Sequence, residues 1–375
     1  MLYDILYLWL QPYFSPFNVF RYITVRTALA GLTALFLSLL LGPWLIRRLK
    51  QFQVQQFVRE ELPVHHTKAG TPTMGGLLII TSVVVPSLLW TDLRNPFLWL
   101  ALFALLAYGA IGFSDDYLKF VRRQSLGLRA RTKFGWQILI AVVIGGVLLT
   151  MRNGLYSTEI LFPFFKKLRP DLVIDSLLNG WYVFPLAAVP FLLFITLVLV
   201  GASNAVNLTD GLDGLAIGCV AIAAAALTAL TYISGHAIFA TYLDLSKMPQ
   251  VAELTVFCGA LTGASLGFLW YNAHPAELFM GDVGSLALGG AIGTVAIIIK
   301  QEILLFFIGG VFVLEALSVI LQVAFYKLRG KRIFLMAPLH HHFELKGWTE
   351  SKIITRFWIT AVIFALFSLS TLKLR

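Results

Sequence analysis

Charge is scarce in this chain. Only 13% of its 375 residues are Asp, Glu, Lys or Arg, about half the share of a soluble globular domain. Cysteine is scarcer still. The two that occur, Cys219 and Cys258, both fall in apolar runs. A disulfide framework is excluded, and small buried hydrophobes are expected at both positions. There is no internal repeat, no low-complexity segment and no nucleic-acid-binding motif. The net charge of +10 therefore points to membrane orientation and anionic lipid, not to nucleic acid. The N-terminus lacks a basic n-region, and Asp4 interrupts its first apolar stretch. No cleaved signal peptide is expected, and the first span should serve as the anchor.

What the chain has in abundance is apolar length. Of its residues, 58% are hydrophobic, and uncharged runs of about 20 residues recur from end to end. The expected architecture is an all-α polytopic membrane protein, one integral domain over 1–375. Ten spans are read at Tyr22–Ile46, Met74–Trp90, Phe97–Phe113, Phe134–Leu149, Val183–Ser203, Leu212–Ile233, Leu254–Tyr271, Gly284–Ile299, Ile303–Phe325 and Ile354–Leu372. Pro185 and Pro190 predict kinks in the fifth. Loops following odd-numbered spans hold 17 Lys/Arg; the termini and opposite loops hold 10. The richer side is expected in the cytoplasm, which puts both termini in the periplasm. The outer segment 151–182 reads as either a short hairpin or an interfacial helix.

Every notable polar cluster falls on the cytoplasmic side. Asn204, Asn207, Asp210 and Asp213 are spaced by three. On a helix that spacing drifts by only about 60° per step, so all four could share one side. Asp115-Asp116 opens the third loop, with Lys119 and Lys133 following. Asp282 lies between the seventh and eighth spans, beside Asn272 and Phe279. Converging carboxylates repel unless a cation relieves them. Oxygen-only ligands select Mg²⁺ or Mn²⁺ over zinc, and Mg²⁺ commonly shares its shell with substrate phosphates. Lys68, Lys119 and Lys133 add cations for further phosphate oxygens. The combination suggests a diphosphate handled at the membrane surface, on the cytoplasmic face.

Simpler readings stand beside this one. A single Asx residue caps helices, single lysines snorkel to headgroups, and Asp116 could pair with Lys119 at i,i+3. The adjacent carboxylates of Asp115 and Asp116 should point about 100° apart on a helix. His340, His341 and His342 lack any zinc-like spacing, and in a basic loop donors to phosphate or sugar fit them better. Glu315, the one acid inside the ninth span, should face the interior and pair with a polar neighbour. A transporter would place its polar residues near the midplane at a repeat interface; here the acids sit at span ends.

Five motifs in this order resemble one family, the phospho-N-acetylmuramoyl-pentapeptide transferases. They are Gly70-Thr-Pro-Thr-Met-Gly-Gly76, Gly112-Phe-Ser-Asp115-Asp116-Tyr-Leu-Lys119, Asn204-Ala-Val-Asn-Leu-Thr-Asp-Gly-Leu-Asp-Gly214, Phe279-Met-Gly-Asp-Val-Gly-Ser285 and Ala337-Pro-Leu-His-His-His342. The resemblance implies transfer of phospho-N-acetylmuramoyl-pentapeptide from its UDP-linked donor to undecaprenyl phosphate in the bacterial inner membrane. The products would be lipid I and UMP, with Mg²⁺ required and a homodimer suggested. A sister enzyme that transfers GlcNAc-1-phosphate is the nearest alternative; the histidine loop favours the muramoyl-pentapeptide. The resemblance further implies Asp282 as leading metal ligand, with Asp115 and Asp116 as further ligands. Either Asp115 or Asp116 is the base, and His340 joins the catalytic set. Lys68, Asn204, Asn207, Asp210, Asp213, Asn272 and Phe279 would serve the uridine-diphosphate side, and Lys119 and Lys133 the phosphates. His341 and His342 would serve the donor phosphate or sugar-peptide.

Overall fold

The structure, a computed structural model, describes residues 1–52, 70–122, 127–152, 154–165, 168–174, 184–243, 245 and 248–373. The helices among them are α1 (Ile23–Gln51), α2 (Gly76–Trp90), α3 (Pro96–Arg122), α4 (Ala130–Thr150), α5 (Phe184–Thr209), α6 (Leu215–Gly235), α7 (Ala237–Tyr242), α8 (Leu254–Asn272), α9 (Gly281–Ile298), α10 (Glu302–Ile308), α11 (Gly310–Arg329), α12 (Leu339–Leu345) and α13 (Glu350–Ser370). Among the described residues nine helices are long and apolar enough to cross a membrane; α2, at 15 residues, is shorter. All ten expected spans are therefore helical, and the differences that matter for the site and its packing fall in the third, eighth and ninth.

The third span does not stop at Phe113. As α3 it runs on to Arg122, carrying Asp115, Asp116 and Lys119 on a helix where the sequence suggested a loop. Polarity at Ser114 marks a membrane edge, not a helix end. No Gly or Pro follows before Arg122, and Lys119 pairs back with Asp115 at i,i+4 and Asp116 at i,i+3. The eighth span begins at Gly281, which puts Asp282 inside the first turn of α9. The ninth span breaks at Gly309 into α10 and α11. There the Phe364 ring of α13 fills the place a side chain on Gly310 would take.

The bundle is built around α8 and α9. Within its spanning window α9 is 89% buried, against 22% for α11 and 28% for α1, α4 and α13. The inner helices can sit deep because small residues let backbones meet. A Cβ on Gly112 of α3 would lie 2.1 Å from the Asp282 carbonyl oxygen of α9, and one on Gly76 of α2 would lie 2.1 Å from the Gly284 nitrogen. These two contacts draw α2, α3 and α9 together where the polar motifs end.

The opposite face is closed by buried charge. Arg26 of α1, 2% exposed, makes a two-pronged ion pair with Glu253, each N–O distance 2.7 Å. Lys300, also buried, pairs with Glu302 at 2.8 Å and donates to the Tyr156 hydroxyl at 3.2 Å. Both ends of the described chain lie on this face. The N-terminal ammonium reaches the Leu88 carbonyl, and Lys373 lies over the Tyr242 ring. The described part of the outer segment has the pairing of a short hairpin, and residues 175–182 lie outside the described residues. Glu159 and Asp171 form an antiparallel bridge, and the Ile160 N–H donates to the Pro170 carbonyl.

Gly112→Ala is expected to destabilise the protein by about 1–3 kcal/mol through overpacking. Gly135→Ala, which meets nothing within 4 Å, should be neutral or stabilising by roughly 0.5–1 kcal/mol. Thermal unfolding of the two variants in one detergent checks the contrast.

Candidate active site

Three carboxylates meet where α3, α4 and α9 converge. Asp115 and Asp116 come from α3 and Asp282 from α9, with one ligand oxygen of each within 4.8 Å of the others. Asp115 and Asp116, adjacent on α3, take different backbone partners, Leu128 and Val283. Both bend toward the Lys119 ammonium, which lies 2.6 Å from Asp115 Oδ2, 3.3 Å from Asp116 Oδ1 and 2.9 Å from Asp282 Oδ2. Lys133, from the first turn of α4, lies 2.9 Å from the same Asp282 oxygen. Lys119 and Lys133 are thus the cluster's own counter-ions.

Each carboxylate is also held by neutral donors. The Leu128 N–H donates to Asp115 Oδ1 at 2.7 Å, and the Val283 N–H donates to Asp116 Oδ2 at 3.2 Å. Asn207 Nδ2 donates to Asp282 Oδ1 at 2.6 Å and to Ser285 Oγ at 2.8 Å. The turn that aims Asp282 needs Gly281, whose φ is +72° and whose missing side chain would strike Asp116 Oδ2. By formal charge, three carboxylates face two ammonium groups, one negative charge in excess. The donor set is oxygen only. The residues therefore fit a hard divalent cation and could hold one.

The asparagine-aspartate stretch is not one helical face. α5 ends at Thr209, and Gly214, at φ +78°, completes a turn before α6. Asn204 stays within the bundle, its Nδ2 donating to Gln137 Oε1 at 2.7 Å. Asn207 alone of the four bonds Asp282. Asp210 lies in the turn, with the Gly281 backbone among the groups acting on its carboxyl. Asp213, 3% exposed, accepts from the Ala276 N–H at 3.1 Å and lies 3.2 Å from His274 Nδ1. Asn272 braces the same turn: its Oδ1 accepts the Gly214 N–H and its Nδ2 donates to the Leu278 carbonyl. Phe279 is clipped by backbone alone, donating to the Pro72 carbonyl and accepting from the Gly75 N–H. That clip joins the glycine-rich first motif to the Asp282 motif. Lys68 lies outside the described residues.

The histidine loop forms α12 and packs under this turn. His340 is fully buried, its Nδ1 3.3 Å from Glu315 Oε2, with its ring where a side chain on Gly211 would stand. Glu315 thus faces the interior beside a polar neighbour, as expected. His341 lies 2.6 Å from Glu344, and His342 Nδ1 accepts the Leu335 N–H. Burial, and after it the Lys346 charge, holds the His342 imidazole below its usual value. Gln137, Ser285, His274 and Glu350 are site neighbours that sequence reasoning left unassigned. Of these, Ser285 and His274 stood inside or beside quoted motifs. Gln137 and Glu350 gave no signal, since their partners lie far away along the chain.

Known proteins resemble this chain along its whole length. Residues 98–300 match the model described as glycosyl transferase family 4. Residues 68–80 match phospho-N-acetylmuramoyl-pentapeptide-transferase signature 1. The chain is 64% identical to the phospho-N-acetylmuramoyl-pentapeptide-transferase of Koribacter versatilis (strain Ellin345) and 63% identical to that of Acidobacterium capsulatum. It is 60% identical to that of Solibacter usitatus (strain Ellin6076). Each match covers 100% of both chains.

Burial, and after it the charges of Asp282, Asp116 and Asp213, pushes the Asp210 carboxyl up to about 8. The folded state then keeps a proton that the unfolded chain releases near pH 4. Stability from this group is present at low pH and is lost as pH rises toward 8. Thermal unfolding of the metal-free protein should fall across that window, and Asp210→Asn should flatten the fall.

Proposed function

Because the chain belongs to the phospho-N-acetylmuramoyl-pentapeptide transferase family, we propose that the cluster of Asp115, Asp116, Asp282, Lys119 and Lys133 is where it carries out the family's reaction. The protein is a multi-pass enzyme of the bacterial inner membrane. It transfers phospho-N-acetylmuramoyl-pentapeptide from a UDP-linked donor to a polyprenyl phosphate, forming lipid I. The acceptor is undecaprenyl phosphate. The site faces the cytoplasm, which places both termini in the periplasm.

An oxygen of the lipid phosphate attacks the β-phosphorus of the donor. The new P–O bond forms as the bridging P–O bond breaks, and UMP leaves with the electron pair. Asp282, Asp115 and Asp116 are the residues that would hold Mg²⁺, which when bound supplies positive charge to the phosphoryl oxygens. Lys119 and Lys133 balance the carboxylates they touch; where a bound Mg²⁺ would meet that charge instead, they and Lys68 would offset the diphosphate. Asn207 holds Asp282 in place. Asp210 and Asp213, braced by Asn272, form the wall for the uridine nucleotide, with the half-buried Phe279 ring beside it. Asn204, bonded to Gln137, anchors the base of that wall. His340, His341 and His342 form the loop behind it, on the donor's sugar-phosphate side. A phosphate monoester with a second pKa of about 6 is largely ionised at neutral pH. Asp115 or Asp116 therefore has little proton to remove, and direct attack is favoured over an aspartyl intermediate.

The convergence of three carboxylates and two lysines at one end of α3, α4 and α9 carries this reading. UMP release by the purified protein should require the UDP-muramoyl-pentapeptide donor, undecaprenyl phosphate and Mg²⁺. Asp282→Asn should lower it by about 10³-fold or more while the protein stays folded; near-normal release would remove Asp282 from the metal role. Donor incubated without acceptor should leave no phosphoryl-enzyme. Trapping one that disappears in an Asp115 or Asp116 variant would replace direct attack with a two-step route.

A further inference from the structure

We infer that His274 and Glu350 are positioning residues that let the last helix, α13, set the donor-nucleotide wall. This rests on the reading above that the Asp210–Gly214 turn forms that wall. The turn lies between α5 and α6 and has no helical ladder of its own. Side chains from distant segments hold its backbone. Glu350, the first residue of α13, accepts the Asp213 N–H at 3.0 Å. Trp358, two turns further along α13, donates its indole N–H to the Gly214 carbonyl at 3.2 Å. The same indole fills the place of a side chain on Gly218. α13 therefore grips two successive residues of the turn. For the rest of its length it is a peripheral helix.

His274 completes the grip. Its Nδ1 lies 3.2 Å from Asp213 Oδ2 and 3.4 Å from Glu350 Oε2. A ring nitrogen between two carboxylates must carry the hydrogen, so Nδ1–H is the donor that orients Asp213. Carboxylate and imidazole atoms of Asp213, His274 and Glu350 come within 4.8 Å of one another. The same turn is tied through Asn272 to the Leu278 carbonyl, in the segment that leads to Asp282. Loosening Glu350 or His274 lets the turn shift against the carboxylate cluster. The nucleotide should feel this shift and the lipid phosphate should not.

UMP-release kinetics on the full-length protein, with each substrate varied while the other saturates, test the inference. Glu350→Ala and His274→Ala should each raise the donor KM by about tenfold, the effect of losing a hydrogen bond to a charged group. The KM for undecaprenyl phosphate and kcat should hold within about twofold, a margin allowed for small indirect effects. His274→Asn, whose amide N–H falls where Nδ1 stands, should stay near wild type. The double alanine variant should be no worse than the singles, because the residues act as one unit. Glu350→Gln, which still accepts the Asp213 N–H, should show a smaller rise and serves if the alanine variant folds poorly. Unchanged donor KM in the alanine variants would overturn the inference. So would equal losses for both substrates, or a His274→Asn variant as impaired as His274→Ala. Asp213→Asn is the separate control on the wall itself. If it leaves the donor KM unchanged, the nucleotide-wall reading fails. If it raises the donor KM while the Glu350 and His274 variants do not, only the present inference fails.

Discussion

The ammonium group of Lys119 lies within 3.3 Å of three carboxylates drawn from two helices, in a protein with few charges to place. Like charges this close are tolerated in a low-dielectric setting only when cations and aligned N–H donors meet them. The helices around the cluster are arranged to supply both. α4 brings Lys133, α5 brings Asn207, and the first turn of α9 offers the Val283 N–H. The residual negative charge suits a divalent cation, which ties the architecture to phosphoryl transfer.

That arrangement depends on backbone proximity. Carboxylate side chains are short, so α3 and α9 must nearly touch for Asp116 to reach Val283. Glycine at 112 and at 76 permits the approach. Gly112 stands in the motif that carries Asp115 and Asp116, so packing and chemistry are written there in one stretch of sequence. On the far face the Arg26–Glu253 and Lys300–Glu302 pairs hold helices without any part in this site. Buried charge alone is thus no guide to function in this bundle; what distinguishes the site is excess charge of one sign.

Much of this was legible beforehand. Apolar runs located all ten spans, because a lipid-facing helix has to be apolar along its length. Asp115, Asp116 and Asp282 were legible as partners because an acid at a span end needs a reason. The break at Gly309 was not read, although Gly309-Gly310 stands there; the Phe364 ring that packs against Gly310 comes from more than fifty residues on. Nor was the extension of α3 beyond Phe113, where hydropathy ends but the helix does not. The four-residue polar row was misread as one face. Spacing by three describes a helix, and Gly211 and Gly214 end the helix before the two aspartates.

The sequence by itself determined the class of fold, the family and the inventory of acids and lysines. These follow from composition and from local motifs, which need no partner to be recognised. Only the tertiary structure decided what each polar side chain does. It turned Lys119 and Lys133 into counter-ions of the acids, gave Asn207 to Asp282, and made Asn272 a brace for the Gly214 turn. It also buried His340 and drew Glu350 and His274 to Asp213. Hydrogen bonds act over about 3 Å, and residues far apart in the chain come that close only when the helices pack.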